Sequence, residues 1–337
     1  MAAAAYIKTP GSRSIYLHVE NRDALAYQAD VLALKYAQNL YGADQAAVGA
    51  LSPKVPGISN DLPQPGDFRL ISSRGQLGAT EVLFLGTPPL YEFRYREIRT
   101  FSRSVLHILS NVAPGVIRLA MTIHGPGFGL DELECFESSI AGLLDSLVSG
   151  SFPPALTDIA ILETVERRAY RFDKALDQLI KSRVLEIDPN GLLQLQFGAA
   201  TVERFRSVGY ASDGKPLVFV AMPFRDDMRD HYDYGISNAA QRAGFLCERA
   251  DYSHFTGDVF EWVKNRIDAC KVVVADLSYA NPNVYLEVGY AWGRNKPTIL
   301  LLRDGDTPTF DVQGQRRLTY KRIKDIEESL HLELTHL

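Results

Sequence analysis

Short apolar runs alternate with amphipathic stretches in the first half of the chain, and these two periods predict strands and helices in turn. Apolar positions such as Ile98, Phe101 and Val105 recur at helical spacing. The predicted helices cover residues 95–112, 131–147 and 170–182, with a further helix start at 41–49. The predicted strands cover residues 14–19, 31–36, 81–86, 116–123 and 159–166. Residues 48–66, which are rich in Pro, Gly, Ser and Asn, are predicted to form a loop.

The second half repeats the alternation in a more regular form. Its predicted strands cover residues 217–221, 244–248, 272–275 and 298–302, and its predicted helices about 228–243, 259–270, 284–293 and 320–330. Alternating strands and helices with short connections are typical of a mostly parallel sheet with helices on both faces. We therefore predict an α/β chain in which an α/β sandwich is followed by a flavodoxin-like parallel sheet.

The segment between the two halves reads as a junction. A turn sequence at 188–191, Asp-Pro-Asn-Gly, is flanked by apolar stretches and predicts a small hairpin. Residues 210–215 have the polar composition of a linker. The predicted domains are therefore 13–182 and 216–334, and residues 183–215 form the junction.

Composition limits the class of protein. The 337 residues are 46% hydrophobic and 23% charged, which is ordinary for a globular protein. A net charge of −5 argues against a nucleic-acid-coating surface, so no nucleic-acid partner is predicted. Neither a signal peptide nor a membrane-spanning run is recognisable. The three cysteines are widely spaced, without a metal-binding pattern, and favour a reducing compartment. We expect a cytoplasmic protein with no metal and no membrane partner.

The most informative stretch covers residues 276–291. A predicted buried strand ends in Asp276, a short polar loop follows, and a helix begins near Asn283. Glu287 lies about one turn into that helix, among apolar neighbours. Both carboxylates are thus predicted at the carboxyl edge of a parallel sheet, where open α/β sheets bind ligands. A carboxylate in such a place can act as a nucleophile or stabilise an oxocarbenium-like centre. Alternatively, Asp276 is a turn residue and Glu287 is the buried partner of an arginine.

Four further residues are candidates for substrate binding. Phe224 and Arg225 follow the first strand of the second half, and Arg225 can meet a phosphate bidentately or form a surface ion pair with a neighbouring aspartate. Trp292 can stack on a base or belong to the core. Asn283 can contact the substrate or cap its helix.

These motifs resemble the TIR-like and nucleoside 2-deoxyribosyltransferase-like superfamily. The resemblance rests on residues 276–291, on Val218-Phe219-Val220-Ala221-Met222-Pro223-Phe224 and on Asn295-Lys296-Pro297-Thr298-Ile299-Leu300-Leu301-Leu302, and it covers roughly residues 216–334. It implies cleavage of an N-glycosidic bond, with Glu287 as the catalytic carboxylate and Asp276 as an acid that orients the substrate.

A glycine-rich turn in the first half is a second candidate site. Gly125, Gly127, Phe128 and Gly129 lie between a predicted strand and a predicted helix, where backbone N–H groups and the helix dipole favour an anion. Three glycines can equally make only a tight connection. The order of elements over residues 13–182 resembles macro-like domains, and this implies a nucleotide-derived ligand held by the same loop. The early asparagine and glycine signature of macro domains is missing at residues 34–49, so the resemblance gives no support for removal of ADP-ribose.

Taken together, the two resemblances imply an N-glycosidase effector that cleaves NAD⁺ as its substrate, without a cofactor. A nucleotide-like signal at the macro-like domain would control it, with homo-oligomeric assembly and a role in bacterial antiphage immunity. One alternative is a nucleoside or nucleotide N-glycosidase or 2-deoxyribosyltransferase. The other is a non-catalytic module for nucleotide sensing and assembly.

Overall fold

The computed structural model describes residues 4–8, 14–181, 186–187, 193–194, 206–249, 259–309 and 312–337. The described chain divides into two compact units. The first unit contains the described residues up to Pro126 and those from Glu132 to Asp213. The second contains residues 127–131 and the described residues from Gly214 to Leu337. Both units are built on largely parallel sheets with helices, so the predicted α/β fold class is confirmed.

The first unit contains one mixed sheet of nine described strands. These are β1 (Ala4–Lys8), β2 (Ser14–Asn21), β3 (Val31–Tyr36), β4 (Phe68–Ser72), β5 (Glu81–Gly86), β6 (Arg118–Thr122), β7 (Asp158–Glu163), β8 (Glu186–Ile187) and β9 (Leu193–Gln194). Their order is β4-β5-β3-β6-β7-β2-β1-β9-β8. The five strands from β5 to β2 in this order run parallel. β4 pairs antiparallel to β5, β1 antiparallel to β2, and β8 antiparallel to β9. The turn predicted at 188–191 lies outside the described residues.

Four α-helices with described bounds accompany this sheet: α1 (Ala43–Leu51), α2 (Tyr95–Val112), α3 (Glu132–Val148) and α4 (Glu166–Lys181). The predicted limits of α2 are correct, because its buried positions follow the helical period along its whole length. Strands β3 and β5 are also as predicted, since each is an apolar run buried on both faces. On one face of the sheet, Leu32, Leu34 and Phe84 pack with Val48 and Leu51 of α1.

The crossover pattern locates a crevice at the carboxyl edge of the first sheet. After β3, the next parallel strand along the chain is β5, which lies on one side of β3 in the strand order. After β6, the next strand is β7, which lies in the opposite direction along that order. Adjacent parallel strands whose connections diverge in this way open a crevice outside their carboxyl ends. In the first unit this crevice lies between β3 and β6.

The second unit contains one sheet of five described strands, all parallel. They are β10 (Leu217–Ala221), β11 (Leu246–Arg249), β12 (Val272–Asp276), β13 (Thr298–Arg303) and β14 (Arg317–Tyr320). Their order, β11-β10-β12-β13-β14, places the second strand of the unit first. This is the flavodoxin-like order, and its crevice lies between the carboxyl ends of β10 and β12.

The helices of the second unit are α5 (Ser237–Arg242), α6 (Val259–Ala269), α7 (Pro282–Gly293) and α8 (Ile323–Thr335). A π-helical segment, His231–Ile236, leads directly into α5, where a single α-helix was predicted. This segment and α5 pack with α8, while α6 packs with α7. Right-handed crossovers in opposite directions along a sheet put helices on opposite faces, so the two groups cover both faces as predicted.

One element of the second unit is wrong in the prediction. Tyr320 ends a strand, β14, whereas it was expected to begin a helix. The sequence of this edge strand, Arg-Leu-Thr-Tyr, has little apolar alternation to reveal it.

Candidate functional site

A buried hydrogen-bonded group lies at the carboxyl edge of the second sheet, around Asp276, the last residue of β12. Its side chain is fully buried, and both of its oxygens accept hydrogen bonds. Oδ1 accepts from the Ser278 main-chain N–H at 3.0 Å, and Oδ2 accepts from the Tyr320 hydroxyl at 2.8 Å. Ser278 Oγ also lies 3.1 Å from that hydroxyl and accepts the Arg303 N–H at 3.0 Å. These contacts join the carboxyl ends of β12, β13 and β14.

Burial determines the electrostatics of this group. Removal from water raises the pKa of Asp276, and the hydrogen bonds from Ser278 and Tyr320 offset part of the rise. The pKa of Tyr320 is also raised, first by burial and then by the neighbouring Asp276 charge. Contact between Tyr320 and Asp276 was not predicted from the sequence, because the two stand 44 residues apart and only the fold brings them together. The role of Asp276 in orienting a substrate stays a prediction.

Glu287 lies on α7, which follows the loop after β12. Its side chain is 4% exposed and belongs to the buried face of that helix, together with Val284, Val288 and Ala291. Glu287 thus lies on the buried face of α7, the helix that follows the loop after Asp276 along the chain. The proposed chemistry of this carboxylate stays a prediction.

The amino end of α7 differs from the expectation. Asn281 is the cap, and its side-chain oxygen accepts the Asn283 N–H at 2.9 Å, with Pro282 at the first helical position. The capping role considered for Asn283 is therefore wrong, and the side chain of that residue is exposed. Trp292 is 37% exposed, so its assignment to the core is also wrong.

A cluster of charged residues and one tyrosine forms the exposed rim of the same crevice. We call it the arginine–tyrosine rim, and it consists of Arg225, Asp227, Tyr279, Arg303 and Asp306. Arg225 donates to Asp227 at 2.9 Å, as the ion-pair alternative predicted, and Arg303 donates to Asp306 at 3.0 Å. The Tyr279 hydroxyl links the two pairs. It accepts a hydrogen bond from Arg303 at 2.6 Å and donates one to Asp227 at 2.5 Å.

Aromatic residues occupy the β10 and β11 side of the crevice. Phe224 is 41% exposed, and the Arg249 guanidinium carbon lies 5.3 Å from its ring centroid. The same guanidinium lies 4.3 Å from the Tyr232 ring and donates to Met222 Sδ at 3.6 Å. An exposed phenyl ring with an arginine over it is able to accept a flat ligand by stacking. Contact between Phe224 and a substrate stays a prediction.

The glycine-rich turn has a structural role that the sequence did not reveal. Residues 127–131 belong to the second unit, and the Gly129 carbonyl accepts the Arg249 N–H at 3.1 Å. Asp131 Oδ2 accepts the Cys247 N–H at 3.0 Å. Two donors along the free edge of β11 are thereby satisfied. Gly129 has a φ of 88°, and a Cβ there would lie 2.4 Å from the Arg249 carbonyl oxygen, so glycine is required.

Gly125 also needs its left-handed backbone, with a φ of 107°, and Pro126–Phe128 form a short 3₁₀ turn. This geometry is what a tight connection requires. Ligand binding by Gly125, Gly127, Phe128 and Gly129 stays a prediction.

A buried charged cluster lies at the crevice of the first unit. Lys35, near the end of β3, is 2% exposed, and its Nζ lies 3.8 Å from Asp44 Oδ2, which is equally buried. His124, two residues beyond β6, accepts the Lys35 main-chain N–H at 3.4 Å. Burial lowers the pKa of Lys35 and raises that of Asp44. Burial and the Lys35 charge lower the pKa of His124 well below its ordinary value, which keeps the imidazole neutral at pH 7.

The sequence contained a signal for this cluster. Lysine is almost never fully buried without a partner, and Lys35 interrupts an apolar strand at its carboxyl end.

In the part of the chain that the structure describes, no group of three or more His, Cys, Asp or Glu side chains is arranged to hold a metal ion. Among the same residues, no helix is long and apolar enough to cross a membrane. Cys135, Cys247 and Cys270 are all buried free thiols.

No family model matches the chain, and no curated protein matches its sequence. Solved macrodomain structures are similar to about half of it. The Trypanosoma brucei macrodomain in complex with ADP has 19% identity and a TM-score of 0.40, and the match covers 48% of this chain and 68% of that one. The Oceanobacillus iheyensis macrodomain with MES bound has 14% identity and a TM-score of 0.42, covering 54% and 100%. A mutant of the latter with ADPR has 15% identity and a TM-score of 0.43, again covering 54% and 100%. Similarities at this level do not by themselves assign a ligand to this chain.

Proposed function

We propose that the protein is an N-glycosidase whose substrate is NAD⁺ and whose catalytic carboxylate is Glu287. The observation that carries this proposal is the position of Glu287. It is a buried acid on α7, the helix that leaves the β12 side of the crevice in a sheet of flavodoxin-like order. Buried carboxylates at such an edge are candidates for chemistry because burial and neighbouring charge control their protonation.

The reaction needs little from the protein beyond this acid. As the bond from the ribose C1′ to the nicotinamide nitrogen breaks, its electron pair neutralises the positive charge of the ring. The ribose is left with oxocarbenium character, which the Glu287 carboxylate stabilises or traps. Water then supplies the hydroxyl at C1′ and releases a proton, giving nicotinamide and ADP-ribose.

Control by a nucleotide-derived ligand is the second part of the proposal. In the first unit the crevice between β3 and β6 contains Lys35 and His124, and a cation and a neutral imidazole suit an anionic ligand with hydrogen-bond acceptors. Homo-oligomeric assembly and a role in bacterial antiphage immunity belong to the same proposal and rest on the sequence resemblance.

The test is release of nicotinamide from NAD⁺, followed by chromatography, for the full chain and for Glu287→Gln. The substitution keeps the size of the side chain and removes its charge. Glu327→Gln is a matched control, because Glu327 lies on α8 in the same unit, on the opposite face of the sheet, where it accepts from Arg242. We expect release to be lost in Glu287→Gln and retained in Glu327→Gln.

The alternatives give different outcomes in the same assay. Base release from deoxynucleosides or nucleoside monophosphates, without nicotinamide release from NAD⁺, would assign the site to nucleotide metabolism. Equal nicotinamide release by the wild-type chain and Glu287→Gln would remove Glu287 from the chemistry. Addition of ADP or ADP-ribose tests whether the first unit must be occupied before activity appears.

A further inference from the structure

The arginine–tyrosine rim is an unusual surface arrangement. The guanidinium carbons of Arg225 and Arg303 lie 4.2 Å and 4.4 Å from the centroid of one ring, that of Tyr279. Each cation carries a positive charge close to the other, and each has one carboxylate for compensation, Asp227 or Asp306. The cluster therefore balances two positive charges against two negative ones, around one aromatic ring.

Stability does not explain this arrangement. The side chains of Arg225 and Asp227 are about half exposed, and exposed ion pairs contribute only about 0–1 kcal/mol. The loop that carries Tyr279 is meanwhile in a costly conformation, since Tyr279 and Ala280 have φ values of 62° and 48°. Non-glycine residues in this region cost about 1–3 kcal/mol each. A strained loop that holds a ring under two arginines indicates a ligand clamp.

The position of the rim indicates which part of a ligand it meets. Arg225 follows β10, Tyr279 follows β12 and Arg303 ends β13, so the rim spans the mouth of the crevice. The Arg303 N–H is fixed through Ser278 to the buried Asp276 group, which anchors one side of the clamp. Glu287 lies on the helix that begins immediately after the Tyr279 loop. A ligand with its reacting bond near that helix would extend its other end past the two arginines.

We propose that the arginine–tyrosine rim binds the two phosphates of a nucleoside diphosphate ester, with Asp227 and Asp306 holding the arginines until the ligand arrives. This inference rests on the proposed function and names the chemical class of its substrate. The two guanidinium carbons are no more than 8.6 Å apart, the sum of their distances to the shared centroid. Each planar guanidinium offers a fork of donors that matches one phosphate.

The exchange is balanced in charge. Two linked phosphate diesters carry one negative charge each, the same total as the two carboxylates that they replace. Hydrogen bonds from Arg225 and Tyr279 lower the pKa of the Asp227 carboxyl to about 2, so Asp227 is ionised at neutral pH and is a close electrostatic substitute for a phosphate. Because exposed pairs are weak, their release costs little, whereas a bidentate contact between arginine and phosphate is among the stronger hydrogen-bonded pairs.

The test compares Arg303→Lys with Arg294→Lys. Arg303→Lys keeps the positive charge of the rim and loses the forked pair of guanidinium donors. The second is a matched control in the same unit, because Arg294 also pairs with an aspartate, Asp268, at the other end of α7. We expect Arg303→Lys to raise the KM for NAD⁺ about tenfold and to leave kcat within about twofold. With nicotinamide riboside, which lacks both phosphates, the two variants should have equal kinetics.

Binding provides a readout that does not need turnover. Calorimetry with ADP and with inorganic pyrophosphate is done on both variants in the Glu287→Gln background. A ligand site in the first unit is identical in the two, so their difference reports the rim alone. We expect about tenfold weaker binding of both ligands to the Arg303→Lys protein, and no difference between the variants with adenosine.

The two proposals fail in distinguishable ways. Absence of nicotinamide release with normal ADP and pyrophosphate binding at the rim would reject the NAD⁺ chemistry and retain the diphosphate site. Equal binding of ADP and pyrophosphate by the two variants would overturn the rim proposal even in an active enzyme. So would a loss of adenosine affinity in Arg303→Lys that is as large as its loss of ADP affinity.

Discussion

The hydroxyl of Tyr320 provides a direct test of the buried group at the carboxyl edge. We consider Tyr320→Phe, which removes one oxygen and keeps the ring. The lost hydroxyl donates to Asp276 Oδ2 at 2.8 Å and contacts Ser278 Oγ at 3.1 Å. Tyr320 is 2% exposed and Asp276 is fully buried, so water cannot replace the donor without rearrangement.

The expected cost follows from that burial. A hydrogen bond to a charged group contributes about 1.5–3 kcal/mol, and an unsatisfied buried acceptor keeps its desolvation penalty. We expect the free energy of unfolding of the second unit to fall by about 2–3 kcal/mol. The loss should be larger at neutral pH than at pH 4, because the raised pKa of Asp276 leaves more of the carboxyl protonated in acid and less dependent on a donor.

Urea unfolding followed by tryptophan fluorescence measures this unit alone. The chain has two tryptophans, Trp262 and Trp292, and both lie in the second unit. Tyr290→Phe is the matched control: its hydroxyl donates to Asp268 at 3.1 Å, but Asp268 is partly exposed and keeps its contact with Arg294. We expect the control to cost less than about 0.5 kcal/mol.

Equal midpoints and slopes for Tyr320→Phe and Tyr290→Phe would show that the buried hydroxyl contributes nothing to stability. That result would mean that Asp276 finds another donor at no cost or is protonated at neutral pH. The pH dependence of wild-type stability relative to Asp276→Asn separates these cases, because a carboxyl that is protonated at neutral pH loses its proton, and with it stability, only above pH 7.

Three further predictions concern single positions. The pKa of Asp276 is raised in the fold, so its contribution to stability is present below the ordinary aspartate value and is lost as pH rises through the raised pKa. Asp276→Asn should therefore gain stability relative to the wild-type chain between pH 4 and pH 8 in the tryptophan assay, and a parallel pH profile would contradict this. Ala280→Gly should stabilise the second unit by about 0.5–1 kcal/mol, because glycine relieves the positive φ at some cost in chain entropy; destabilisation in the same urea titration would be the opposite of the prediction. Lys35→Met should destabilise the first unit by about 3–5 kcal/mol by leaving Asp44 buried without its cation, and the added change Asp44→Leu should restore much of the loss. Far-UV circular dichroism reports the helices and strands of both units, so the transition that tryptophan fluorescence does not follow is assigned to the first unit. Failure of the second change to restore the stability of that unit would reject the buried pair as the cause.

The sequence predicted elements wherever burial has a simple period. The limits of α2, β3, β5 and β10 are correct, because each is either amphipathic with the helical period or a continuous apolar run between polar residues. β1, β4 and β14 were missed. They are edge or near-edge strands of mixed composition, for which pairing with a neighbouring strand decides the structure more than the local pattern does.

The site, too, was predictable where the local pattern was clear and not where distant residues meet. Asp276 and Glu287 were recognisable as acids in an apolar, strand-to-helix context. The partners of Asp276 were not, because Tyr320 reaches it only through the order of the strands. The prediction of a single α-helix over 228–243 is also partly wrong, because residues 231–236 form a π-helical segment. Gly235 of this segment lies close to Ile326 of α8, a contact that the hydrophobic periodicity of the sequence does not predict.

Nicotinamide release from NAD⁺ by the purified full chain at high concentration, with ADP or ADP-ribose added in parallel samples, decides whether Glu287 is the catalytic carboxylate of an NAD⁺ glycosidase. We expect release by the wild-type chain and by Glu327→Gln, and none by a folded Glu287→Gln protein whose tryptophan-detected unfolding matches the wild type. Release that persists in Glu287→Gln, or no release with or without the added nucleotides, would reject this role.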